Sequence, residues 1–137
     1  METIVCAGLL EKEGRFLLVK AKVGTPKGLW NMPGGHKEEQ ESHQECVQRE
    51  VEEETGFIVE PQRLIGTYTY QHIKKYIYEI KILGGELKIP SDEIEEAHWF
   101  TLEEMQQLKE ITASTVLAIK DYQKKKFNQE HQCTRIP

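Results

Sequence analysis

One stretch, residues 35–57, constrains this chain more than any other: GHKEEQESHQECVQREVEEETGF. It carries a helix start, a helix stop and a dense set of carboxylates between two glycine turns. Ser42-His43-Gln44-Glu45 reads as a capping box, with Ser42 as N-cap and Glu45 reaching back to it. Gly56 tolerates a left-handed backbone and is the expected stop. The spacing therefore predicts a helix from about Ser42 to Thr55. On it, Glu50, Glu53 and Glu54 stand at i, i+3 and i+4 and share one face. Val47 and Val51 lie on the adjoining face, suited to docking on a sheet. Like charges at this spacing cost about a few tenths of a kcal/mol in an isolated helix. A glutamate run is most often a solvated helix face. Here its position between the glycine turns points instead to a hard, oxygen-preferring cation such as Mg²⁺, bound beside a phosphate.

The rest of the chain alternates strands and helices. Thr3–Leu10 and Arg15–Lys20 read as strands around a turn at Glu11–Gly14. Ala21–Gly28, with Gly24, Pro26 and Gly28, reads as a loop, and Leu29–Met32 as a short extended piece before Pro33. Leu64–His72 and Lys74–Leu83 alternate around Tyr68, Tyr70, Tyr76 and Tyr78, which predicts a hairpin. Gly84-Gly85 is expected to break the chain, and Ala97–Phe100 to form another strand. Leu102–Lys109 and Thr112–Lys126 read as helices, with Lys124–Lys126 placed favourably at a helix C-terminus. The expected fold class is α/β (α+β): a single domain over residues 1–127 with a loose C-terminal tail over 128–137.

A chain of 137 residues can bury one core. Its 38% hydrophobic and 30% charged content suits a globular domain, and a net charge of −5 argues against binding a nucleic-acid backbone. The opening METIVCAGLL does not make a signal peptide, and no apolar run approaches a membrane span. Cys6, Cys46 and Cys133 lack metal or disulfide spacing. Cys6 and Cys46 read as buried small hydrophobes and Cys133 as a tail thiol. The expected compartment is the reducing cytoplasm.

The run from Gly35 to Phe57, with Glu41, Arg49 and Glu50-Val51-Glu52-Glu53-Glu54-Thr55-Gly56 at their spacings, resembles the Nudix box of the Nudix hydrolases at every specified position. The flanks extend the resemblance. Leu29-Trp30-Asn31-Met32-Pro33-Gly34-Gly35-His36 is similar to the family's approach to the box, and EIEEAHWF, Glu93 to Phe100, to its acidic strand ending in Trp. These flanks look most like the NudJ-type phosphatases.

That resemblance implies an α/β/α sandwich around a mixed β-sheet. It implies a Mg²⁺-dependent hydrolase, with Mn²⁺ as a substitute, that cleaves a phosphoanhydride by water attack. Glu50 and Glu54 are then the principal metal ligands, with Glu53 close by and the backbone carbonyl of Gly34 completing the set. Arg49 either orients a box carboxylate or pairs with Glu45 one turn back. Glu41 braces the loop against the helix. The base that deprotonates the water is Glu53 or an acid before Trp99, with Glu93 ahead of Glu95 and Glu96 as base or additional ligand. Arg15, Lys20 or Lys22, with His36, are the candidates for phosphate contact. Trp30 is a candidate for stacking on a base, although aromatics at strand spacing are more often core. The implied substrate is a small nucleoside di- or triphosphate, or a thiamine-type diphosphate. Alternatives are an oxidised nucleotide such as 8-oxo-dGTP, as for MutT, or ADP-ribose. Monomer and homodimer both remain open. Two other classes compete: a non-catalytic binding module, and an isomerase needing a catalytic cysteine, for which Cys46 sits in a packing position.

Overall fold

Strand β1 (Thr3–Leu9) is apolar along its length because both of its faces are buried. With a side-chain period of two, Cys6 and Leu10 turn to one core while Ala7 and Leu9 turn to the other. The structure, a computed structural model, describes residues 2–22, 28–89 and 92–134. After β1 come β2 (Glu11–Lys12), β3 (Arg15–Ala21), β4 (Trp30–Asn31), β5 (Gly34–His36) and helix α1 (His43–Thr55). Then follow β6 (Phe57–Tyr70), β7 (Ile73–Gly85), β8 (Ile94–Phe100), α2 (Leu102–Gln106) and α3 (Ala113–Thr134).

The strands form a mixed sheet and an antiparallel one. The first has the order β5-β1-β7-β6, with β1 parallel to β7 and the other pairs antiparallel. The second has β2, β3 and β4 in order, with β8 also paired to β3. Helix α1 packs Cys46, Val47 and Val51 onto one core with Leu17, Val59, Tyr78 and Ile80. Helix α3 packs Ala118, Ile119 and Tyr122 onto the other with Leu18, Met32 and Ile77. This is the mixed α+β architecture that the order of elements implies.

Several expectations change in detail. The hairpin is longer than its tyrosine pattern suggests: β6 starts at Phe57, directly after the helix stop. Pro61 is tolerated because β6 is the edge strand, and the register slips between Pro61 and Leu64. Gly84-Gly85 does not break the chain. The pair closes the last rungs of the ladder opposite Phe57 and Ile58, where a Cβ on Gly85 would strike the Gly56 carbonyl. Helix α2 is shorter than predicted, ending at Gln106.

Helix α3 runs to Thr134, so residues 128–134, read as a loose tail, are helical, and 135–137 lie outside the described residues. Lys124–Lys126 are therefore not at a helix end. Lys125 donates instead to the carbonyls of Leu64 (3.1 Å) and Ile65 (2.5 Å), and Lys126 pairs with Glu11 at 3.2 Å. Most of the loop expected at 21–28 falls at 23–27, outside the described residues, as does the side chain of Cys133. Among the described residues no helix is long and apolar enough to cross a membrane.

Candidate active site

Helix α1 is held at both ends. The Ser42 hydroxyl accepts the Glu45 N–H at 3.0 Å, and Glu45 accepts the Ser42 N–H at 2.8 Å. At the other end Gly56 takes φ +82° and donates to the Glu52 carbonyl. Cys46, Val47 and Val51 are fully buried beneath it. These restraints fix the helix rotation, so that Glu50 and Glu54 turn to the strand β5 glycines rather than to solvent. Only 7% of Glu54 is exposed.

The glycine pair makes this approach feasible. Gly34 and Gly35 pair with Ala7 and Cys6 of β1. A Cβ on Gly34 would overlap the Cys6 carbonyl and Ala7, and one on Gly35 would fall on the Glu50 carboxylate. The Gly34 N–H donates to Glu54 Oε1 at 3.0 Å.

Arg49 ties the carboxylates together. Its guanidinium grips Glu41 through two bonds, Nη2 to Oε1 at 2.6 Å and Nε to Oε2 at 3.0 Å. Nη1 reaches Glu50 at 2.8 Å and Glu53 at 3.4 Å, and Nη2 donates to the His36 carbonyl at 3.2 Å. Of the two readings of Arg49, this geometry favours orientation of the box carboxylates, because Glu45 is engaged in the capping box. The Arg49 bonds hold the Glu41 carboxyl down to about 2, helped by the Glu38 N–H. Glu41 braces the 38–41 loop against the helix, as the sequence implies.

Glu50 and Glu54 have the opposite electrostatics. Burial pushes Glu54 up to about 8, against the Gly34 N–H, and the charges of Glu50, Glu93 and Glu53 add to the rise. Glu50 is raised too, by burial first, against Arg49 and with Glu53 and Glu93 adding. Four carboxylates thus share one field, and one of them arrives from a distant turn. Glu93 is brought there by a backbone bond, Lys22 N–H to the Glu93 carbonyl at 2.7 Å, beside a bulge at Lys20/Ala21.

No three His, Cys, Asp or Glu side chains among the described residues form a ready-made metal cage. Mg²⁺ does not need one, since it is commonly bound by one or two carboxylates plus water and substrate phosphates. A buried glutamate crowded by like charges, beside a glycine strand, fits such an ion.

The candidate substrate residues divide. Trp30 lies near the rings of Phe100 (4.9 Å) and His98 (5.8 Å), with Lys20 Nζ 5.8 Å from its centroid. Lys20 is also 3.9 Å from Glu96, whose charge is not among those that raise Glu50 and Glu54. Lys22 and His36 enter the site through backbone atoms, the Lys22 N–H and the His36 carbonyl. Arg15 is not brought in. It opens β3, pairs with Glu104 at 3.7 Å, and lies about 17 Å along the strand from Lys20. Three of the hairpin tyrosines serve the scaffold, since Tyr68 donates to Asp121 at 2.6 Å, Tyr76 packs on His43 and Tyr78 is buried, whereas Tyr70 is exposed. Burial pushes the Cys46 thiol far above its ordinary range, which suits packing and not nucleophilic chemistry.

Lys75 is the residue that sequence reasoning missed. Its side chain is buried between Asn31 Oδ1 (2.8 Å) and Ser114 Oγ (3.0 Å). Burial pulls its ammonium down to about 8, against the charge of Glu54. The available signal was parity: Lys75 shares a strand face with the core residue Ile77.

Comparison with known proteins agrees with this geometry. The NUDIX domain family profile matches residues 1–122. An ADP-ribose pyrophosphatase of Methanocaldococcus jannaschii is 36% identical over 107 residues, covering 74% of this chain. The match spans only 63% of that relative's own length. Phosphatase NudJ of Escherichia coli is 30% identical over 128 residues, covering 88% of this chain and 82% of that protein. The solved MutT NUDIX hydrolase of Burkholderia pseudomallei superposes with a TM-score of 0.78 at 26% identity, covering 88% of this chain and 98% of that one. The MutT protein of Methanosarcina mazei Go1 gives 0.79 at 26% identity, covering 91% and 95%. With the box carboxylates gathered as described, the chain belongs to the NUDIX hydrolases, divalent-metal-using enzymes that hydrolyse phosphorus-containing anhydrides in small nucleotide-type substrates.

Proposed function

We propose that this chain is a Mg²⁺-dependent pyrophosphohydrolase acting on a nucleoside di- or triphosphate, with Mn²⁺ as a substitute. The observation that carries the reading is the placement of Glu54: only 7% exposed, bonded to the Gly34 N–H at 3.0 Å, and within the charge field of Glu50, Glu93 and Glu53. Glu50, Glu54 and the Gly34 carbonyl would hold the ion, with Glu53 at its solvent side. When bound, Mg²⁺ neutralises the phosphates and acidifies a coordinated water. Arg49 keeps Glu50 and Glu53 oriented through its two-bond grip on Glu41. The water oxygen bonds to phosphorus, the phosphoanhydride P–O bond breaks, and the water proton passes to a carboxylate. Glu93 is assigned that proton because it enters the field of Glu50 and Glu54 from the opposite element. Lys20 and Trp30, which lie together with Lys20 Nζ 5.8 Å from the Trp30 ring centroid, are the substrate-side candidates retained from the sequence, although the Trp30 ring also packs against the core.

A second reading, ADP-ribose hydrolysis, has the named function of the M. jannaschii relative in its favour. Both readings are tested by measuring product release from nucleoside triphosphates and diphosphates, 8-oxo-dGTP, thiamine diphosphate and ADP-ribose, with Mg²⁺ and with EDTA. Mg²⁺-dependent phosphate or pyrophosphate from a nucleotide supports the first reading. AMP and ribose 5-phosphate from ADP-ribose supports the second. Turnover that persists in EDTA would refute both.

A further inference from the structure

Strand β6 is 14 residues long and lies at the edge of the mixed sheet, paired to β7 on one side only. Its other side presents backbone N–H and C=O groups to any strand that approaches. The ladder to β7 slips twice, between Pro61 and Leu64 and between Leu64 and Gly66. In a regular strand consecutive carbonyls point to opposite sides. At this slip the carbonyls of Leu64 and Ile65 both reach one ammonium. Lys125 Nζ, arriving from helix α3, donates to them at 3.1 Å and 2.5 Å. Lys125 is itself exposed, so the cap sits on the outer surface.

The strand around this cap leaves apolar and charged groups uncovered. Ile58 is 55% exposed and Leu64 38%. Leu83, the residue before the Gly84 that faces Ile58, is 54% exposed. Glu60 and Arg63 place opposite charges on either side of Pro61 and Gln62. These four residues and Glu79 line an open cleft of about 450 Å³, which leaves room for side chains from a second surface. A two-fold contact between identical chains must be complementary to itself. Two β6 strands laid antiparallel, with the axis between Pro61 and Gln62, meet that condition. Each Glu60 then faces the Arg63 of the second copy. Residues 58–60 of each strand lie opposite 63–65 of the other, which covers Ile58 and Leu64 in both. Pro61 removes one N–H from each strand and leaves the pairing to those two flanks. The flank at 63–65 is the one whose carbonyls Lys125 occupies.

We propose that the β6 edge is a self-association surface for a second copy of this chain, and that Lys125 closes it by occupying the Leu64 and Ile65 carbonyls. With the ammonium in place the chain is monomeric. Removing the ammonium frees two acceptors for the N–H groups of a second strand. The inference is independent of the hydrolase reading, because no residue of the carboxylate cluster takes part.

The test is sedimentation velocity and light scattering on the full chain over a wide range of protein concentration. It compares wild type, K125M, K125R, K125M/R63E and K125M/E60R/R63E. Wild type should run as a monomer. K125M keeps an unbranched side chain but no donor, and its mass should double as concentration rises. K125R retains donors and should stay monomeric. Adding R63E to K125M sets like charges across the two-fold axis and should return the monomer. Adding E60R as well restores the pair with its signs exchanged and should return the dimer. Amide hydrogen exchange should slow over residues 58–65 in the dimeric variants and not in the monomeric ones. Association of K125M that R63E does not reverse arises from unfolded chain or another face, and overturns the proposal. So does a wild type that is already dimeric, a K125R that associates as K125M does, or a K125M that stays monomeric throughout.

Discussion

Replacing Glu54 with Gln should stabilise the metal-free protein at pH 8 and abolish its stabilisation by Mg²⁺. Glu54 titrates near 8 in the fold, against an ordinary 4.5, chiefly because it is buried. Between those values the folded chain keeps a proton that the open chain has released, so stability falls as pH rises. Over the full range this amounts to on the order of 5 kcal/mol. The charged groups that add to the rise are Glu50, Glu93 and Glu53, and the charge of Glu54 in turn favours the Lys75 ammonium. The glutamine side chain of E54Q resembles the protonated carboxyl, so it escapes the penalty above pH 8 and changes little below pH 5. It weakens the bond from the Gly34 N–H and removes a charge that favours the Lys75 ammonium, which leaves a net gain of about 2–3 kcal/mol at pH 8. For a domain of this size that is about 6–15 °C in Tm. The assay is thermal and urea unfolding at pH 5 and pH 8, in EDTA and in Mg²⁺. Wild-type Tm should rise with Mg²⁺ most at pH 8, by about 3 kcal/mol equivalent at a hundredfold excess over Kd. Loss of stability in E54Q at pH 8 in EDTA would refute the claim that Glu54 is held as a strained, cation-seeking carboxylate.

The same geometry sets the outcome of three further experiments. Arg49→Lys keeps the charge but not the two-bond grip on Glu41 together with Glu50, so kcat should fall about a hundredfold while far-UV circular dichroism is retained. Gly35→Ala places a methyl on the Glu50 carboxylate, and its signature is a weaker Mg²⁺ activation constant, read from turnover across a Mg²⁺ titration. Glu93→Gln should reduce kcat by about 10²–10⁴ if Glu93 takes the proton, whereas Glu96→Gln, which removes only the contacts to Lys20 and His98, should stay within a few-fold. Equal effects of these last two variants would remove Glu93 from its assigned role.

Much of the site is legible along the chain because it is local. The capping box at Ser42 and Glu45, the stop at Gly56 and the carboxylates at i, i+3 and i+4 lie within one helix, where backbone geometry converts spacing directly into a shared face. Strands β1 and β3 are readable as short apolar runs and β7 by its alternation of period two. Errors gather where partners are distant. The Gly84-Gly85 pair looks like a break until its ladder to Phe57 and Ile58 is known. Lys125 looks like a helix-end charge until the carbonyls of Leu64 and Ile65 appear beneath it.

Local order therefore determined the family, the helix and the identity of the carboxylates. Tertiary structure alone decided which side chains are dry and which residues meet. It sank Glu54 while leaving Glu53 half exposed, although the two are adjacent in sequence. It carried Glu93 to the helix, left Arg15 at the other end of its strand, and set Lys75 against Asn31 and Ser114 across gaps of about forty residues each. Spacing can state which residues share a face, but the proton affinity of a carboxyl or an ammonium depends on the water removed from it. That water is excluded by elements packed from elsewhere in the chain.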